Sequence, residues 1–274
     1  MKNNYNPTVP NHGFTHGGTF HADDVFSAAL LRILNPDIVI ERGFKVPDNF
    51  DGIVFDIGGG KYDHHETPRD VRIGGVPYAA FGKLWAVYGP QLVGPDQAKW
   101  LDETFIQPLD STDNGGAPNP LSTVIAGMNP LWNQDEDQNA CFQRAVDLAY
   151  QMLTRQIEGC ESREAAASVA ERAIMQKGEI AVLERFAPIM NRLIGSGKAF
   201  LVFPSNRGGW NAQVVPAILN SRVPTIPFPE KWWGAPEEQL PDGVTFCHPS
   251  GFMISAKTEG NAVLACKYAI RHNV

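Results

Sequence analysis

Apolar residues recur at Val25, Phe26, Ala29, Leu30, Ile33 and Leu34, the i, i+3/i+4 spacing of an amphipathic helix over residues 23–34 that must end before Pro36. Two short β-branched runs follow, Ile38-Val39-Ile40 and Ile53-Val54-Phe55, each bounded by Asp, Pro or Gly, and both predict buried strands. Helical spacing returns over residues 78–88 and 96–106. Strands alternating with helices predict an α/β domain on a doubly wound, largely parallel sheet, in which ligands gather beyond the carboxyl ends of the strands. Asp56 falls at such an end.

Residues 117–137, rich in Pro, Asn and Asp, predict a long loop. Residues 139–193 read as a helical connector, with Cys141, Phe142, Ala145, Val146 and Ala149 on one face and a break near Gly159. After Gly195-Ser196-Gly197 the pattern changes to short strand-like runs at 199–203, 214–215, 244–247 and 251–254, then a final helix over 260–270. We therefore expect two domains: residues 1–195, which include the connector, and a smaller α+β carboxy-terminal lobe over residues 196–274.

Composition narrows the function. The 274-residue chain is 43% hydrophobic, 19% charged and carries a formal charge of −7. That balance excludes a protein that coats duplex nucleic acid over a wide basic surface, while a small phosphorylated substrate or a short strand in a locally basic cleft still fits. Cys141, Cys160, Cys247 and Cys266 show neither CxxC pairing nor framework spacing, which suits reduced thiols of a cytosolic protein. Residues 1–14 lack the order of a signal peptide, and no apolar run approaches the roughly 20 residues of a membrane span. A soluble, cytoplasmic protein with no membrane partner is expected.

The chemistry concentrates in the first quarter of the chain. His16, His21, Asp23 and Asp24 lie in one segment; Asp56, Asp63, His64 and His65 lie in another, joined by the run Gly58-Gly59-Gly60-Lys61. Helix caps and solvated loop histidines would explain some of these residues singly, but not so many ligand-type groups converging on strand and helix ends. Imidazole with carboxylate suits manganese, iron or zinc; calcium takes oxygen alone, and structural zinc usually takes cysteine. The glycine run is not a phosphate loop, because Phe55 and Tyr62 stand where that motif needs glycine and Ser or Thr. It predicts instead a tight turn bringing Asp56 to the Asp63-His64-His65 segment. Residues 110–116 read as a second acidic loop after an apolar helix, and from the residues alone either Asp110 or Asp113 is the further ligand, the other being a turn residue. In the second lobe Arg207, Arg222, His248 and Lys257 are candidate phosphate-binding groups. Trp210, Trp232 and Trp233 are assigned to core packing ahead of base stacking.

These residues resemble a known set. His16…His21-Ala22-Asp23, Asp56, Asp63-His64-His65 and Asp113-Asn114-Gly115 are similar to the motifs of the DHH phosphoesterase superfamily, which includes RecJ-type exonucleases and manganese-dependent inorganic pyrophosphatases. Thr15-His16-x-Gly18-x-Phe20-His21-x-Asp23, the stretch from Arg222-x-Pro224 to Trp233-Gly234, and Phe246-x-His248-x-x-Gly251-Phe252 look like the MYG family over nearly the full length. The resemblance implies an α/β DHH-type domain, a smaller carboxy-terminal lobe and a two-metal centre in the cleft between them. It also implies metal-dependent phosphoester hydrolysis, with 3′-to-5′ RNA exonuclease activity attributed to eukaryotic members.

Carried over by residue, His16, His21 and Asp56 would hold one metal, and Asp23, Asp56, His64 and Asp113 the other, with Asp56 bridging. Two divalent ions, manganese before zinc, iron, cobalt or magnesium, are the implied cofactors. The superfamily usually has two aspartates after the first histidine; here His21 stands for the first of them, as in the MYG branch, and an extra imidazole favours later transition metals. A two-metal site needs no side-chain nucleophile. His65 is then placed to donate to a phosphate oxygen or leaving group, and Asp63 to orient a histidine. The expected function is a phosphodiesterase or 3′–5′ exonuclease acting on short single-stranded RNA or other nucleotides. A non-catalytic metal or nucleotide sensor and a mononuclear zinc hydrolase are the alternatives.

Overall fold

The first strand, β1 (His12–His16), pairs in parallel with β2 (Val39–Gly43) and β3 (Ile53–Val54), giving a sheet of order β2-β1-β3. The computed structural model describes residues 9–218 and 223–272. Between β1 and β2 runs α1 (Ala22–Leu34), whose apolar stripe predicted it; Val25, Phe26, Leu30 and Leu31 are fully buried. Helices α2 (Ala80–Val93), α4 (Gln107–Asp113) and α5 (Pro120–Ala126) pack on α1, while α3 (Pro95–Leu101) packs on α2. Phe20, Phe26, Phe55, Phe81, Trp85 and Phe142 fill the core they enclose. The long helix α6 (Gln138–Met175) adds Phe142, Ala145, Val146 and Ala149 to that core.

The chain divides within α6 into two compact units, Met1–Glu161 and Ser162–Val274. In the second, β4 (Ile180–Val182) and β5 (Phe200–Pro204) are parallel, whereas β6 (Trp210–Val214), β7 (Val244–Cys247) and β8 (Met253–Ala256) continue the sheet antiparallel, in order β4-β5-β6-β8-β7. A one-turn helix α7 (Met190–Leu193) precedes β5, and α8 (Glu259–His272) packs on the sheet over Phe200, Phe228 and Trp232. The molecule is thus α/β, with an all-parallel sheet in one unit and a mixed sheet in the other. The four cysteines are buried free thiols. No helix among the described residues is long and apolar enough to cross a membrane.

Several elements differ from the sequence expectation. His16 ends a strand that the sequence does not announce, since β1 carries one strongly apolar residue, Phe14, and so shows little alternation. The helix expected over 96–106 is α3 followed by a π-helical turn, Asp102–Ile106, that runs into α4. Asp110 and Asp113 are accordingly helical, and the loop begins at Asn114. The long loop expected over 117–137 contains α5, which Asn119 caps by accepting from the Leu121 N–H at 2.8 Å. The connector passes through Gly159 without a break and ends at Met175, so the expected helix over 176–193 is replaced by β4 and α7. A lone interior glycine costs a helix only about 1 kcal/mol, which packing on both sides of it offsets.

One buried ion pair fixes α4 on α2. Arg72 donates to Asp110 Oδ2 at 2.7 Å and to both oxygens of Asp102 at 2.7 and 2.9 Å, and Asp110 Oδ1 also accepts from the Gly82 N–H at 3.2 Å. Gly82 is required by this approach, since a Cβ there would lie 1.8 Å from Asp110 Oδ2 and 2.5 Å from Arg72 Nη2. Gly82→Ala should therefore break the pair and cost about 3–5 kcal/mol in urea unfolding, the range for disrupting a buried ion pair. A loss below about 1 kcal/mol, typical of an ordinary substitution, would show that the pair does not hold α4.

Candidate metal centre

His16 leaves the end of β1, His21, Asp23 and Asp24 stand at the start of α1, and Asp56 follows β3, so the parallel strands deliver all five to one end of the sheet. Asp56 is in the left-handed region, φ 57°, which aspartate tolerates better than most residues, and its N–H donates to the Tyr62 carbonyl at 3.0 Å. Gly58 and Gly59, at φ 89° and 69°, turn the chain between them. The Gly59 N–H donates to Asp63 Oδ2 at 2.7 Å and closes the turn that brings His64 back to Asp56. The glycine run is therefore the tight turn that its sequence predicts.

Ligand-type atoms gather at both oxygens of Asp56, His64 and His65 near Oδ1 and His16 near Oδ2, while His21, Asp23 and Asp113 form a further group. Asp56 Oδ1 lies 3.0 Å from His64 Nε2, which is also 3.2 Å from Asp113 Oδ2 and 3.5 Å from Asp23 Oδ2. Asp56 Oδ2 lies 3.1 Å from His16 Nε2, itself 3.3 Å from Asp24 Oδ2. Two donors bound at about 2.0–2.2 Å to one ion, at tetrahedral to octahedral angles, stand about 3.0–3.5 Å apart. The separations are thus the edge lengths of coordination spheres. Both oxygens of Asp23, Asp24 Oδ2 and Asp56 Oδ1 are buried without a hydrogen bond. Buried carboxylate oxygens in that state are costly unless a cation meets them, so the residues present fit divalent metal.

The proton affinities agree. Burial, reinforced by the neighbouring Asp56 and Asp113 charges, lifts Asp23 well above the ordinary carboxylate range. Burial likewise pushes Asp24 up to about 7 even though His16 opposes it. Asp56 is buried too, yet the His16 and His64 imidazoles outweigh that and hold it down at about 2. For His16, burial favours the neutral ring, but Asp56 and Asp24 raise it to about 9. Three carboxylates and two imidazoles here compete for too few protons, a conflict that bound cations remove.

Among the residues expected to act, His16, Asp23, Asp56, His64 and Asp113 come together. His21 gathers with Asp23 and Asp113, not with His16 and Asp24, although its ring centroid is 5.9 Å from that of His16. Asp110 does not join them, being taken by Arg72 and the Gly82 amide. Asp24, left out of the sequence-based ligand set, belongs with His16 and Asp56; its Oδ1 accepts from the His21 N–H at 2.9 Å, so it caps the helix as well. Its signal was a second carboxylate at a helix start already carrying one. Asp63 accepts from His65 Nδ1 at 2.7 Å and from the His65 N–H at 3.2 Å, fixing a ring that is 64% exposed.

In the second unit His248 lines a cavity of about 650 Å³ with Asn191, Gln213, Pro224, Ser250 and Phe252. The Ser250 N–H donates to His248 Nδ1 at 3.1 Å, so a neutral ring carries its proton on Nε2. Arg207 is exposed, and Lys257 is held 3.3 Å from Glu237. Arg222 lies outside the described residues. Trp232 is buried in the core and Trp233 donates to the Phe228 carbonyl, as core packing predicts.

Comparison with known proteins adds an independent line. The model of a family described as MYG1_exonuc, an uncharacterised protein family (UPF0160), matches residues 14–270. The chain is similar to MYG1 exonuclease of Homo sapiens, 31% identical over 316 aligned positions covering 91% of this chain and 83% of that protein. It is 26% identical to the MYG1 protein of Dictyostelium discoideum, over 91% of this chain and 93% of that one. The Chlamydia trachomatis MYG1 protein is 28% identical over 89% and 91% respectively. No solved structure matches the chain.

The raised groups set the sign of a pH dependence. Asp24, at about 7 in the fold against an ordinary 3.8, contributes stability near pH 4 that is lost as pH rises through 7, and Asp23 shifts in the same sense. His16 contributes below its ordinary 6.5 and loses that contribution as pH rises through about 9. Asp56, at about 2, contributes at all pH values above the ordinary 3.8 and adds no slope there. Metal-free protein should therefore lose thermal stability between about pH 6 and about pH 9, and saturating divalent metal should flatten that decline, because bound ligands must be ionised. Thermal melts that stay level or rise over this range without metal would contradict the assignment, as would a metal-induced Tm gain no larger at the alkaline end.

Proposed function

The chain belongs to the MYG1_exonuc family, UPF0160, and on that premise we propose that it is a metal-dependent phosphoester hydrolase, a 3′–5′ exonuclease of DHH type acting on short single-stranded RNA. The observation that carries this reading is the division of one carboxylate between two ligand groups: Asp56 Oδ1 with His64, and Asp56 Oδ2 with His16. In this reading Asp23, Asp56, His64 and Asp113 hold one divalent ion, with His21 beside Asp23 and Asp113, and His16, Asp24 and Asp56 hold the other. Manganese is the proposed ion, with zinc, iron, cobalt and magnesium able to use the same ligand types. A bound pair supplies Lewis acidity and offsets phosphate charge.

The remaining roles fall to the chain. Asp63, whose carboxyl is buried but kept below its ordinary range by the Gly59 amide and His65, is ionised and can only accept. His65 therefore presents Nδ1–H to Asp63 and leaves Nε2 free to hold or pass a proton to a departing ester oxygen. Residues 196–274 form the proposed substrate-binding lobe, in which His248 Nε2–H and Arg222 bind phosphate oxygens, with Arg207 and Lys257 as outer cations. The amides of Asn191 and Gln213 add polar points to the cavity beside His248, whose lining is otherwise largely apolar, with Met190, Val214 and Phe252.

A panel of short RNA, short DNA, a cyclic dinucleotide and a phosphomonoester, each with manganese, magnesium, zinc or cobalt, tests the proposal. Hydrolysis of short RNA is expected, and its absence with every metal would refute the reading. Asp56→Asn and Asp113→Asn should lower turnover to background while the fold persists. Asp110→Asn should act differently, lowering the melting temperature through loss of the Arg72 pair. His248→Ala should retain metal and lose about 1.5–3 kcal/mol in kcat/KM, the worth of a hydrogen bond to a charged group. If it works as well as the parent, residues 196–274 lose their assigned role.

A further inference from the structure

Phe44 is 85% exposed, and neither core packing nor burial accounts for its position. The β1–β2 register pairs His16 with Gly43, and the Gly17 N–H donates to the Gly43 carbonyl at 2.7 Å, so Phe44 is the first residue beyond the strand pair that carries His16. Its ring lies on the main chain of Gly17 and Gly18: a Cβ on either glycine would stand 3.4 Å from a Phe44 ring carbon. Two residues later Val46 touches the other metal-site loop, since a Cβ on Gly58 would lie 2.9 Å from Val46 Cγ2. Residues 44–46 therefore rest on both loops that deliver the ligand groups. The ring is anchored along one side by glycine backbone while most of its surface stays open to solvent.

The surroundings match the ring. Lys45 follows it, exposed and tied only by a 3.4 Å contact to the equally exposed Asp48. Lys61 is exposed on the glycine turn, and His65 is exposed next to the ligand His64. An open aromatic ring resting on a metal-site loop, with exposed lysines at the next residue and on the glycine turn, is suited to single strands: bases stack and cations follow the backbone. A lone exposed apolar side chain is commonplace, but this one is held against the two residues that follow a metal-ligand candidate.

We propose that Phe44 is a stacking platform for a nucleobase of a single-stranded substrate at the metal centre. This rests on the phosphoester reading of that site and adds to it a residue that contacts a base of the strand, outside the groups proposed for the metals and the phosphate. Because every base has a stacking face, recognition here is tolerant of sequence.

Equilibrium binding of a fluorescein-labelled RNA octamer with phosphorothioate linkages, and of the same octamer with all bases removed, tests this by anisotropy on the manganese-loaded full chain, with the octamer checked for intactness after each titration. The parent should bind the octamer with bases about tenfold more tightly, the scale of one stacked base. Phe44→Ala should abolish that preference while leaving the affinity for the abasic strand unchanged, and Phe44→Trp should keep it. A preference that survives in Phe44→Ala, or a parent that binds both strands equally or neither, overturns the proposal. Turnover with manganese is scored separately: a chain that shows the base preference but hydrolyses nothing refutes the hydrolase reading and leaves the platform standing.

Discussion

The carboxylate of Asp56 has one oxygen beside His64 and the other beside His16, and most of the first unit is arranged to keep it there. It leaves β3 in a left-handed conformation, its amide is tied to Tyr62, and the glycine turn returns the chain at the distance His64 requires. Burying Asp23, Asp24 and Asp56 within one small volume is electrostatically unfavourable, since removing charge from water costs several kcal/mol per ion unless a partner compensates. Two imidazoles compensate in part. Oxygens of Asp23, Asp24 and Asp56 still lack hydrogen bonds, and cations would satisfy them together.

Asp113 reaches this group by a longer route. It ends α4, which is pinned three residues earlier by Asp110 to Arg72 and to the Gly82 amide at the start of α2. Asn114 adds hydrogen bonds to the carbonyls of Tyr78 and Asp110. The two aspartates of one helical turn therefore divide the work, one holding the helix and the other facing the histidines. Their chemistry is identical; only the environment separates them.

Much of this was legible in the sequence. Period made α1 and α2 readable, and the spacing of Asp56, Asp63 and His64 around three glycines announced the turn; β-branched runs marked β2 and β3, but β2 is not the buried strand expected, since it lies at the sheet edge with Val39 56% exposed. The rest depended on contacts that lie far apart along the chain. β1 is a strand because β2 and β3 flank it, although only Phe14 and Thr15 of its five residues have strand-forming character. Asp110 to Asp113 reads as a turn, and becomes helix because Arg72, thirty-eight positions from Asp110, pairs with it. Asp24 caps the helix through Oδ1, and nothing local marks its other oxygen as facing His16. Phe44 carries no local signal, as its position follows from strand register.

The central claim is that the buried carboxylates and imidazoles around Asp56 form a two-ion site. The number of divalent ions retained per chain, measured by elemental analysis after reconstitution with manganese and removal of free metal, tests it most directly. The account predicts two ions per chain. A value of one, or none, with the fold intact, would contradict it.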